Sequence, residues 1–156
     1  MENTKSYELT EDQAIAVGEI TKFLAHPTDQ IFTLSGLAGA GKTFCIKAAL
    51  ENRKNVYAAT VSHSAKNVLA DSFKEANVNV ACYTLAKLLG LKMYIDEDGE
   101  VTFRPDPYKD KVLPIEMADI LVIDECSMIS QEHHFMILNL KKKHCKLIYM
   151  GENCPV

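Results

Sequence analysis

Eight consecutive residues, Gly36-Leu37-Ala38-Gly39-Ala40-Gly41-Lys42-Thr43, carry the spacing G-x-x-x-x-G-K-T, that of a loop able to hold phosphate. Glycines let the backbone curl until several N–H groups point inward at one anion. A helix beginning at the end of the loop adds about half a positive charge at that point. Lys42 can then reach the β- and γ-phosphates of ATP, and the Thr43 hydroxyl can hold Mg²⁺. A glycine-rich turn with no ligand is the bland alternative. It is disfavoured because an apolar strand enters the segment and a helical pattern leaves it.

Asp124-Glu125 follows four branched apolar residues, Ile120-Leu121-Val122-Ile123. Carboxylates at the C-terminal end of a buried parallel strand stand where open α/β sheets bind their ligands. Asp124 suits the Mg²⁺ shell, and Glu125 suits orienting and deprotonating an attacking water. Taken alone, two acids at a strand end are usually just solvated. Gln13 has two readings: its amide can recognise adenine, or it can complete a capping box with Thr10. The residues by themselves favour the cap, and one side chain is expected to do only one of the two. Thr60-Val61-Ser62-His63-Ser64-Ala65-Lys66 ends a strand and opens a helix, a setting suited to a nucleic-acid phosphate, although capping by Ser62 or Ser64 is the plainer reading. Lys141-Lys142-Lys143-His144 reads as a solvated helix end. The adjacent His133 and His134 face different ways and make a poor metal pair. His144, Cys145 and Cys154 fall short of a zinc site because a second ligand pair is missing.

These groups need a scaffold, and the apolar pattern supplies one. Short apolar runs alternate with helical stripes, the mark of a parallel sheet with crossover helices. Helices are expected over 10–24, 42–51, 64–76, 84–89 and from Ser130 to about Lys141. Strands are expected at 31–34, 55–60, 78–82, 120–123 and 146–150. The segment 92–114, with Pro105, Pro107 and Pro114, is read as an irregular insertion that could hold a hairpin pairing 92–95 with 101–104.

At 156 residues the chain has the size of one domain, and a net charge of −4 gives no basic excess to advertise nucleic acid. No apolar run approaches the ~18 residues of a membrane span, and the polar start lacks a secretion signal. Five cysteines without a C-x-x-C pair suit reduced thiols, so a cytoplasmic chain is expected, with no membrane partner.

Several of these segments together resemble the N-terminal RecA-like domain of superfamily 1 DNA helicases of the Dda-like and RecD/Pif1-like branch. Leu9-Thr10-Glu11-Asp12-Gln13 resembles the Q motif, Gly36 to Thr43 motif I, Val61 to Lys66 motif Ia, and Asp124-Glu125-Cys126-Ser127-Met128 motif II. The resemblance implies a three-layer α/β P-loop NTPase fold, ATP and Mg²⁺ as cofactors, and hydrolysis coupled to single-stranded DNA. It implies that Gln13 contacts adenine and that Ser62 and His63 touch DNA. Thr84-Leu85-Ala86 resembles a further DNA-contacting T-x-H segment in which Ala86 replaces the usual histidine.

Relatives carry G-D-x-x-Q-x-x-P-V after the last strand, whereas this chain reads Gly151-Glu152-Asn153-Cys154-Pro155-Val156, without the γ-phosphate-sensing glutamine. A second RecA-like domain, source of transition-state arginines, is not in the sequence. An arginine finger contributes on the order of 10³–10⁵ in rate, so the chain alone is expected to hydrolyse ATP near background and not to unwind DNA. The implied partners are single-stranded DNA and a second RecA-like domain or another replication or recombination protein. A truncated or split helicase domain is the leading reading. The alternative is a helicase stub acting as a nucleotide- or DNA-binding decoy or regulatory module. A small-molecule kinase fits worse, since arginine occurs only at positions 53 and 104 and no arginine-rich lid is visible.

Overall fold

A computed structural model of the protein describes residues 8–36, 41–106 and 111–154. In chain order the elements are α1 (Glu11–Ala25), β1 (Ile31–Ser35), α2 (Lys42–Ala49), β2 (Val56–Thr60), α3 (His63–Glu75), β3 (Val80–Thr84) and α4 (Leu85–Leu89). After these come β4 (Leu91–Ile95), β5 (Val101–Pro105), a 3-10 turn (Pro114–Met117), β6 (Ile120–Ile123), a second 3-10 turn (Cys126–Met128), α5 (Gln131–Leu140) and β7 (Lys146–Gly151). Five strands form one parallel sheet in the order β1-β7-β6-β2-β3.

The two-residue alternation of strands sorts the core into two layers. Val56, Ala58, Ile120, Val122, Ile148 and Met150 pack with α1, α2 and α3 through Ile20, Ile46 and Phe73. Ala59, Leu121, Ile123, Leu147 and Tyr149 pack on the other face with α4, α5 and the 114–117 turn through Leu88, Ile137 and Ile115. With both faces covered, the strands must be apolar throughout, and β6 is buried at all four positions.

One strand lies two residues later than its pattern suggests. Val78 is spent on ending α3, its N–H donating to Phe73 O at 3.0 Å after Asn77 turns left-handed at φ 55°. β3 therefore starts at Val80. The expected insertion is an antiparallel β4–β5 hairpin with an Asp96–Gly99 turn, in which Asp96 Oδ1 accepts from the N–H groups of Asp98 and Glu100. Residues 107–110 of that insertion lie outside the described residues.

The lysines after α5 do more than complement a helix end. Lys142 pairs with Asp119 at 2.9 Å, and Asn55 donates to the same carboxylate at 2.8 Å. These hydrogen bonds hold the Asp119 carboxyl below its ordinary range. Lys141 donates to Gln30 Oε1 at 3.4 Å. The N-terminal ends of the strands are thereby tied together, and the C-terminal ends are left to carry chemistry.

His134 is buried on α5, its Nδ1 2.5 Å from the hydroxyl of the fully buried Tyr149. Burial disfavours the charged imidazolium and lowers its pKa. The unfolded chain therefore takes up this proton more readily than the native one. The contribution of His134 is complete above the unfolded value of about 6.5 and is lost as pH falls through and below it. Urea midpoints measured from pH 8 to pH 5 are expected to fall across this window, and His134→Gln should flatten that part of the profile. An equally steep fall in the variant would place the dependence elsewhere.

Among the described residues no helix is long and apolar enough to cross a membrane.

Candidate nucleotide and nucleic-acid site

The candidate side chains collect at the C-terminal ends of β1, β6 and β2, where the sheet hands its chain to loops and helix N-termini. β1 leads into Gly36, and α2 opens at Lys42 with Gly41 as its N-cap, left-handed at φ 83°. Leu37, Ala38, Gly39 and Ala40 lie outside the described residues. The two ends of the loop are joined by Lys42, whose Nζ donates to Gly36 O at 2.5 Å. Thr43 follows in the first turn of α2, half-buried.

Gln13 reaches this loop from α1. Its Oε1 accepts from Thr10 N at 3.0 Å while Thr10 Oγ1 accepts from Gln13 N at 3.2 Å, so the capping box is closed. Its Nε2 lies against Gly41, where an added Cβ would come within 2.7 Å of it. Of the two readings the capping box is formed, and it leaves the nitrogen end of the amide turned to the loop. A side-chain amide has two different termini, one an acceptor and the other a donor; the oxygen holds the helix start and the nitrogen faces the phosphate loop. Thr10, Asp12, Gln13, Ala16, Leu34, Ser35, Lys42 and Cys45 line an open cleft of about 320 Å³ beside it.

Asp124 is half-buried directly after β6, and its N–H donates to Ala59 O at 2.9 Å, extending the ladder to β2 by one rung. Its Oδ1 accepts from Glu125 N at 2.8 Å. Glu125 is exposed and left-handed at φ 52°, a conformation that costs a non-glycine residue about 1–2 kcal/mol and that collects at functional positions. Its Oε2 accepts from the Thr60 hydroxyl at 3.4 Å. On its other side Gly151, φ 137°, brings the end of β7 so near that a Cβ there would lie 3.0 Å from Cys126 Sγ and 3.1 Å from Cys126 N. Sequence reasoning placed Thr60 in the segment suited to nucleic-acid phosphate and Gly151 in the segment after the last strand, and foresaw neither of these contacts. A polar residue closing an apolar strand is the only local trace of the first.

Ser62 caps α3, accepting from Ala65 N at 3.1 Å, and His63 is exposed at its first position. Thr84 does not join them. It is 7% exposed and its hydroxyl caps α4 by accepting from Lys87 N at 3.2 Å.

The cysteines also depart from expectation. Cys126 and Cys154 are joined as a disulfide with Cα atoms 4.9 Å apart, while Cys45, Cys82 and Cys145 are free. The pairing depends on the close approach at Gly151, which no local spacing announces. Burial raises the thiol pKa of Cys82 and of Cys145 to about 11. Among the described residues no group of three or more His, Cys, Asp or Glu is placed to hold a metal ion. Closing a loop across 28 residues restricts the unfolded chain by about 3–4 kcal/mol in the chain-entropy account. Cys154→Ser is accordingly expected to lower the unfolding free energy by about 2–4 kcal/mol under non-reducing conditions and to have no such effect in excess dithiothreitol. Identical denaturation curves without reductant would show that the bridge does not form.

A parallel sheet with both faces covered, a phosphate loop leaving one strand and a carboxylate pair ending another define a helicase-like P-loop ATPase domain of the RecA-like class. The chain belongs to the AAA domain family, whose model matches residues 8–154. It is 33% identical to the uncharacterized protein R530 of Acanthamoeba polyphaga mimivirus, covering 90% of this chain and 31% of that protein. In fold it is similar to the Bacteroides Pif1 helicase solved with ADP-AlF4, with a TM-score of 0.62 at 18% identity, covering 94% of this chain and 33% of that one. Another Bacteroides Pif1 structure, with ADP-AlF3 and single-stranded DNA, matches with a TM-score of 0.53 at 21% identity, covering 97% and 34%. The UvsW helicase of bacteriophage T4 matches with a TM-score of 0.63 at 12% identity, covering 96% and 54%. The chain thus spans about a third of the length of the mimivirus relative and of Pif1.

Proposed function

We propose that this domain binds ATP with Mg²⁺ and hydrolyses it in step with single-stranded DNA, as the nucleotide-holding part of a superfamily 1 helicase. One observation carries the reading: at the end of β1, a left-handed Gly41 opens α2 with Lys42 folded back over the loop to Gly36 and the Gln13 amide against it. A side chain at Gly41 would intrude on Gln13 Nε2, and the helix N-terminus favours negative charge there. The oxygen donors Thr43 and Asp124 are the hard ligands Mg²⁺ takes.

In this reading the Lys42 ammonium binds the β- and γ-phosphates, and Gln13 Nε2 donates to the adenine ring. Thr43 and Asp124 hold the cation, whose positive charge offsets charge developing on the phosphates. Glu125 orients the attacking water and takes its proton. Ser62, His63 and the N-terminal N–H groups of α3 receive the DNA backbone. The Bacteroides Pif1 structures with nucleotide and DNA support both halves of the reading through their likeness in fold. Unwinding needs two domains closing on the nucleotide, so a second RecA-like domain is the proposed partner, and turnover by this chain alone stays near background.

Titration calorimetry with millimolar ATP and Mg²⁺ tests the proposal. Saturable heat that disappears with EDTA or in Lys42→Ala is expected. No heat from a folded sample would sink it. Binding without any stimulation by DNA and a supplied second domain would favour a regulatory module instead.

A further inference from the structure

The β4–β5 hairpin turns its apolar side outward. Its register sets Met93 opposite Phe103 and Ile95 opposite Val101, and the two-residue alternation of strands puts these four on one face. Met93 is 54% exposed, Phe103 45%, Ile95 63% and Val101 53%, so the face is uncovered along its length. The other face carries Lys92, Tyr94, Thr102 and Arg104, with the guanidinium over the Tyr94 ring. At the base, Leu91 packs with the core layer of Leu88 and Ile115. A two-stranded ribbon is marginal in water until a face is covered, and a contiguous exposed apolar patch marks an interaction surface. Charge is also divided along the hairpin. The turn and its flanks hold Asp96, Glu97, Asp98 and Glu100, whereas the base holds Lys92 paired across the strands with Arg104, against one carboxylate, Asp106.

We infer that this face is covered by the same face of a second copy of the chain, the two hairpins stacked antiparallel with each acidic tip over the other's basic base. Apolar sheet faces pack about 10 Å apart with their side chains interdigitated, and a two-fold axis makes one patch its own partner. Charge selects the orientation. With the tips together, the carboxylates of one copy would crowd those of the other within about a Debye length, roughly 8–10 Å. Tip over base sets them against Lys92 and Arg104 instead. The same carboxylates repel a phosphate backbone, which makes nucleic acid the poorer occupant. Pro105 and the charged Lys92 and Arg104 discourage pairing through the strand edges, so the contact is made face to face. The patch is at the low end of interface sizes, which implies a weak dimer, half formed at about 10–100 µM. The inference is independent of the ATP and DNA readings.

Sedimentation velocity of the full chain from about 1 to 300 µM brackets that range, and the mass is expected to rise from monomer to dimer across it. Ile95→Lys and Phe103→Ser change exposed side chains at the centre of the patch, and each should weaken association by about tenfold or more. Unchanged urea midpoints at about 1 µM, where the chain is monomeric, report an intact fold in both variants. Glu97→Lys separates the two orientations. It weakens the dimer by about two- to fivefold where tip lies over base, the worth of an exposed ion pair, and tightens it where tips meet. A chain that stays monomeric throughout overturns the inference, as does a dimer that Ile95→Lys and Phe103→Ser leave unchanged. Tighter association in Glu97→Lys overturns the antiparallel stacking. A monomer whose affinity for a labelled oligothymidylate falls in Phe103→Ser assigns the face to nucleic acid and also overturns it.

Discussion

Lys42→Ala is expected to weaken binding of magnesium-bound ATP by on the order of 10²-fold, with little change in the urea midpoint. A charge-assisted bond contributes about 1.5–3 kcal/mol, and each 1.4 kcal/mol is a factor of ten. Lys42 is the ammonium at the mouth of the loop, and no other residue of α2's first turn carries charge. In the folded chain its ammonium donates to the Gly36 carbonyl, at a half-buried position. The apolar burial of α2 comes from Cys45, Ile46 and Ala49, which the substitution leaves in place, so little is expected to be taken from the core. Calorimetry and urea denaturation of the same preparation separate the two effects. If the variant kept its affinity, the loop would not be the phosphate site.

The second large effect is expected in rate and not in affinity. Glu125→Gln should leave nucleotide binding within about twofold and lower DNA-stimulated hydrolysis, measured with a second RecA-like domain supplied in trans, by about 10²–10⁴, the usual worth of a general base. The substitution is near-isosteric, and an amide oxygen can still accept from Thr60, so the left-handed turn and its neighbours have no reason to move. What is lost is the capacity to take a proton. Single-turnover hydrolysis reads it directly, and unchanged turnover would withdraw the role given to Glu125. The supplied domain matters because the chain's own arginines are elsewhere: Arg104 stacks over Tyr94 on the hairpin, 5.7 Å from the ring centre, and Arg53 follows α2.

The elements were legible because their signals are local. Thr10 and Gln13 announce the start of α1, Ser130 that of α5, and the apolar run 120–123 the central strand. The hairpin was legible for the same reason, two short apolar runs around a glycine-bearing turn. Where reading failed, the deciding partner was distant in sequence. Cys126 and Cys154 look like unrelated thiols until Gly151 draws the end of β7 against the turn after Glu125. Lys141 and Lys142 read as solvent-facing charge, but Gln30 and Asp119 come to meet them across the sheet.

By itself the sequence determined the phosphate-loop spacing, the acidic end of a buried strand and the alternation that makes a parallel sheet, since each needs only neighbours within a few residues. Strand order is another matter. Which side of β6 receives β7 and which receives β2 depends on how crossover helices pack, and that places Thr60 rather than the phosphate loop beside Glu125. Only the folded chain could give Gln13 its two-ended position between a helix cap and Gly41, because the contact joins α1 to α2 across a turn of chain that no periodicity spans.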